Sequence, residues 1–163
     1  MNMQTSPRRI LSIGSGAVAM AAALTFATPT LGADCAGHDV LVDVMSETTD
    51  LGGGHLLIVA RSYSILITDS PDNPYNLMSG YCDGSSHIAP DGTFSGSGHC
   101  ARKDADGDTM SLTWDFQPGA EKGTWKTLTG TGKFANDTSS GWWQPVLGDP
   151  PMSASVWGGD CKM

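Results

Sequence analysis

Basic residues are scarce in this chain. Nine lysines and arginines stand against 17 aspartates and glutamates, a formal net charge of −8 over 163 residues. That balance repels phosphate backbones and anionic headgroups, which argues against nucleic acid or a membrane surface as partner. Sustained helical periodicity is missing from the chain after its N-terminal apolar stretch. Closely spaced cysteines are missing too. No two of Cys35, Cys82, Cys100 and Cys161 lie within five residues of each other, so no thiolate metal site is expected. The serines of "GSSHI" and "GSGHC" lack the strand–turn–helix context of a nucleophile elbow. Gly130-Thr131-Gly132-Lys133 fails as a phosphate loop, because Thr127 stands where the first glycine belongs and Phe134 follows the lysine. There is no internal repeat and no low-complexity linker, and no cofactor is expected.

The one long apolar run sits at the N-terminus. Arg8 and Arg9 precede an alanine-rich stretch, residues 10–27, and small residues lead into Thr30-Leu31-Gly32-Ala33. This is the pattern of a secretory signal, with cleavage expected after Ala33 and export to the periplasm or beyond. Arg8-Arg9 raises the twin-arginine route, but Ile10-Leu11-Ser12 fits general secretion better. Asp34 before Cys35 spoils a lipoprotein box, and no stable membrane insertion is expected after cleavage. Residues 34–163 then form one domain with seven basic and 17 acidic residues, a net charge of −10. Its four cysteines, in an oxidising compartment, predict two disulfides with three possible connectivities.

Turn residues punctuate this remainder every eight to twelve positions, the rhythm of an all-β sandwich or barrel. Strands are expected at His38–Ser46, Leu56–Asp69, Tyr75–Asp83, Thr93–Lys103, Thr109–Phe116, Gly123–Thr129, Gly141–Leu147 and Ala154–Gly159. In the first, Val40, Val42 and Val44 take one face while Asp39 and Asp43 take the other. About eight antiparallel strands close a small barrel.

Asp104, Asp106 and Asp108 match the first three ligand positions of a calcium loop. Thr109 stands where that loop needs glycine, however, and Asp115 is short for its last ligand. Asp106-Gly107 instead favours a two-residue hairpin turn. That turn would place Cys100 opposite Thr113 and His99 opposite Trp114. Pro90-Asp91-Gly92, read as a three-residue loop, places Cys82 opposite Cys100 and Asp83 opposite His99. Opposed cysteines have the separation a disulfide tolerates, which leaves Cys35 to close the barrel with Cys161.

The same register puts Asp83 and His99 on one face with Leu112, Trp114 and Phe116, where a His–carboxylate pair against an indole suits acid–base chemistry. An ordinary half-buried histidine looks the same. His38, His55 and His87 fall near strand ends with no spaced partner that suggests a metal. Tyr81, Met110, Leu112, Trp114, Phe116 and Trp125 are the expected wall of a ligand cavity, though aromatic residues equally fill small β cores.

The segment "GTWKTLTGTGKFANDTSSGWWQ", with "DGTFSGSGHC" before it, resembles the allene oxide cyclase and dirigent-like barrels over about residues 90–147. The resemblance implies an eight-stranded antiparallel barrel with an apolar lumen. Members of that group cyclise unsaturated lipids or steer phenoxy-radical coupling, mainly by shaping a cavity. Their polar cavity residues match no position here, and the disulfides and signal depart from the plant members. Three function classes follow: a barrel binding a small, mostly apolar molecule in its lumen, a lyase or isomerase using Asp83 and His99, and a non-catalytic envelope or interaction protein with a patch at Trp142-Trp143.

Overall fold

In the computed structural model, residues 33–163 are described; the expected signal lies outside them, except that Ala33 already pairs with Cys161. Eight strands run in chain order: β1 (Ala33–Gly52), β2 (His55–Thr68), β3 (Ser79–Ile88), β4 (Phe94–Lys103), β5 (Thr109–Phe116), β6 (Gly123–Gly130), β7 (Ser140–Asp149) and β8 (Met152–Cys161). Each pairs antiparallel with the next, and β8 pairs with β1, which closes the barrel. Closure removes the two free edges an open sheet would have, although β6 and β7 pair only between Gly123–Lys126 and Ser140–Trp143. The cysteines bridge as expected, Cys82 to Cys100 and Cys35 to Cys161.

One hairpin is built as read and the next differs by a residue. Around Pro90-Asp91-Gly92 the Ala89 N–H donates to the Thr93 carbonyl, and Cys82 faces Cys100. After β4 the Asp104 N–H donates to the Asp108 carbonyl, so the loop is again three residues, Ala105–Gly107. The two-residue turn fails because only Gly107 adopts positive φ, at 90°. A type I′ turn needs Asp106 there as well. The Asp104 carboxylate instead accepts the N–H groups of Asp106 and Asp108 at 2.9 Å each. Cys100 therefore faces Leu112, and His99 faces Thr113. A one-residue shift reverses the face on which every side chain lies. Met110, Leu112, Trp114 and Phe116 thus share a face with the cysteines, not with Asp83 and His99.

β1 also runs past its expected bounds, His38–Ser46, at both ends, and the stretch from Tyr75 is a further departure. Its backbone is tied in turns, Asn76 N to the Asn73 carbonyl and Met78 N to the Tyr75 carbonyl, and β3 starts only at Ser79. This β2–β3 connection folds across one end of the barrel. Tyr75, Met78 and, from the 3₁₀ turn Gly132–Phe134, the Phe134 ring are buried there. The Tyr75 hydroxyl donates to Asp137 Oδ2 at 2.5 Å and meets Ser139 Oγ at 2.9 Å. Burial first, and the Asp137 bond second, push this phenol above its ordinary pKa. The opposite end carries only the short β1–β2, β3–β4, β5–β6 and β7–β8 hairpins. The barrel has a plugged base and a rim of hairpins.

Candidate functional site: the barrel lumen

Alternation along β2 is plain, but towards its C-terminal end the inward face is the more polar one. Ser62, Ser64, Leu66 and Thr68 are buried, while Tyr63, Ile65 and Ile67 stand exposed. In β1 likewise, Asp39 and Asp43 face inward and Val42 is exposed. The reason lies on β4, where Arg102 points inward and is only 4% exposed. A buried guanidinium needs a carboxylate and further acceptors. Arg102 Nη2 donates to Asp39 Oδ2 at 2.5 Å, and Nε donates to Ser64 Oγ at 2.9 Å. Ser64 Oγ in turn donates to Asp39 Oδ1 at 2.6 Å. Burial holds the Asp39 carboxyl above its ordinary range, against the pull of Arg102 and Ser64. Sequence reading missed this cluster: Arg102 lies 63 positions from Asp39, and only the side-by-side pairing of β1, β2, β3 and β4 joins them.

Above the cluster lies a cavity of about 280 Å³. Arg102, Asp39 and Tyr75 stand towards its base; Leu41, Ile58, Leu112, Trp114 and Trp143 are among its walls, and Leu147 lies near the rim. Leu147 is 50% exposed whereas the base residues are buried, so the opening is at the hairpin end. Tryptophans lie flat on this wall because glycines face them. A Cβ at Gly84 or Gly98 would fall within the Trp114 ring, one at Gly123 within Trp143, and one at Gly159 against Trp125. Glycine inside a strand marks such a close approach.

Of the expected wall, Met110, Leu112, Trp114 and Trp125 line the cavity. Phe116 is buried beside it, against Phe94 and Trp143. Tyr81 stands on the outer face, 48% exposed, edge-on to Tyr63 and beneath Arg61. Asp83 and His99 do face each other across β3 and β4. Since their neighbours Cys82 and Cys100 point inward, both stand on the outer face. His99 Nε2 is 3.9 Å from Asp83 Oδ2, and Asp83 accepts from Arg61 Nε at 2.6 Å. That contact holds the Asp83 carboxyl below its usual range. Neither side chain of the pair points into the lumen.

The remaining motifs resolve into structure. The aspartates of the β4–β5 loop meet the lysine of the glycine-rich run, with Lys133 Nζ 2.7 Å from Asp104 and 3.4 Å from Asp106, while the Lys133 N–H donates to Asp108. A lysine ammonium thus stands among the aspartates of a loop read as a hairpin turn. His55 and His87, expected near strand ends without a partner that suggests a metal, stack with Nδ1 and Nε2 3.0 Å apart. No group of three or more metal-ligating side chains is found among the described residues. Trp142 is partly exposed under Lys122, whereas Trp143 turns inward, so the two form no joint surface patch.

No protein-family model and no curated protein matches the chain. Among solved structures it is similar to the pterocarpan synthase dirigent protein GePTS1. The identity is 11%, over 78% of this chain and 84% of that one, with a TM-score of 0.47. The likeness concerns the path of the chain and carries nothing about activity, nor does it bear on the allene oxide cyclases.

Proposed function

We propose that this is an exported barrel protein that binds a small, mostly apolar molecule in its lumen. The observation that carries the reading is the cavity of about 280 Å³, closed at the base, open at the hairpin rim and walled mainly by apolar side chains. An apolar cavity of roughly 150 Å³ already takes benzene, so this one is sized for something larger. Export is supported by the signal-like N-terminus and by two disulfides, which persist in oxidising compartments.

The test is uptake of N-phenyl-1-naphthylamine, an uncharged probe that brightens in apolar surroundings, by oxidised protein. Saturable fluorescence that an unlabelled apolar compound displaces supports lumenal binding. Absence of displaceable signal removes it. The alternative, a protein that acts through its outer surface, draws on a different observation from the one read in the sequence. Val42, Tyr63, Ile65, Tyr81 and Met152 form an exposed apolar band across β8, β1, β2 and β3, and large bands of this kind mark contact surfaces. That reading expects a lumen that takes up no probe.

A further inference from the structure

The lumen holds one cationic donor with bonding capacity to spare. A guanidinium carries five N–H groups. The bonds of Arg102 to Ser64, Asp39 and Cys82 Sγ use only Nε and Nη2, which leaves Nη1 for another acceptor. Arg102 lines the cavity and is held in place by its ion pair. A charged donor facing a cavity is complemented by an occupant that brings an acceptor.

Charge narrows the class further. Asp39 already neutralises Arg102. A ligand carboxylate would set a second negative charge beside Asp39 in a buried site and would lose its hydration. An uncharged oxygen pays little of that penalty and still receives a charge-assisted hydrogen bond. We infer that the lumen takes an uncharged, mostly apolar molecule with a carbonyl-type acceptor oxygen, oriented oxygen-down onto Arg102 with its apolar body towards the rim. This rests on the lumenal-binding reading above and adds the head-group chemistry and the orientation.

The experiment displaces N-phenyl-1-naphthylamine from the oxidised protein with three compounds of equal carbon count: butylbenzene, butyrophenone and phenylbutyrate at neutral pH. The ketone is expected to displace the probe at about tenfold lower concentration than the hydrocarbon, the scale of one charge-assisted hydrogen bond, and below the carboxylate as well. In Arg102→Lys, which keeps the charge but loses the planar fork, the ketone should weaken about tenfold while butylbenzene is unchanged. If butylbenzene binds but the ketone is no better than hydrocarbon or carboxylate, the acceptor assignment is overturned and lumenal binding stands. If the probe itself is not taken up, lumenal binding falls and this inference falls with it. Should Arg102→Lys fail to fold, the order of the three compounds on the unaltered protein decides alone.

Discussion

Tyr75 shows how a single side chain makes a barrel into a cup. Its ring stacks on Phe134 and meets Trp157 edge-on, while its hydroxyl reaches Asp137 and Ser139 from the far side of the base. Tyr75→Phe keeps the ring and removes the bond, leaving the buried Asp137 carboxylate one donor short. The expected loss is about 1–3 kcal/mol, read from the denaturant midpoint, with near-ultraviolet circular dichroism otherwise native. A smaller midpoint shift would mean that water replaces the hydroxyl and that the base is looser than described. Gly84 offers a second residue-scale test. A methyl group there displaces the Trp114 ring, and overpacking of this kind costs about 1–3 kcal/mol. Because the ring can retreat only into the lumen, Gly84→Ala should also weaken probe uptake. Unchanged uptake would show that the indole does not form the wall.

At the scale of elements, the β4–β5 loop is governed by Asp104. Its carboxylate bonds to Lys133 first, then to the N–H groups of its own loop, and these hold it below the ordinary value of 3.8. A lowered native pKa contributes stability above the unfolded value, and that contribution is lost as pH falls through the native one. Asp104→Asn should therefore lower the midpoint of thermal unfolding at neutral pH, and the gap to the parent protein should close in strong acid. A gap that persists in acid would assign the effect to loop geometry. Asp39 runs the opposite way: its raised carboxyl adds stability at low pH that fades as pH rises through its native value.

The same elements show what the sequence could disclose. Strand number, most boundaries and the Cys82–Cys100 register follow from local turn chemistry, which a short window of residues contains. Which face of β1 and β2 turns inward does not. A period of two separates Asp39 from Val40 and Ser64 from Ile65, yet it is silent on which set meets the core. Hydrophobic-inside reasoning chooses wrongly here, because Arg102 arrives from β4 and demands polar company. The shift at Asp106-Gly107 was equally hidden, since it turns on whether an aspartate or only its glycine adopts positive φ. That one residue moved His99 out of the lumen.

On the scale of the whole molecule, the two disulfides do different work. Cys82–Cys100 spans 18 residues between adjacent strands, while Cys35–Cys161 spans 126 and joins the first strand to the last. Chain entropy assigns about 3 kcal/mol to the shorter loop and about 5 kcal/mol to the longer. The double variant Cys35→Ser/Cys161→Ser should thus lose more stability in urea than Cys82→Ser/Cys100→Ser. The reverse order would mean that β1–β8 pairing persists in the unfolded ensemble. The plugged base also fixes the direction the molecule faces. β1 starts and β8 ends there, with Lys162 bonded to Thr138 and Ser139 of the plug. A copy grafted to a bead or a membrane through either terminus would hold its mouth outward, like a cup standing on its foot, free to fill and empty.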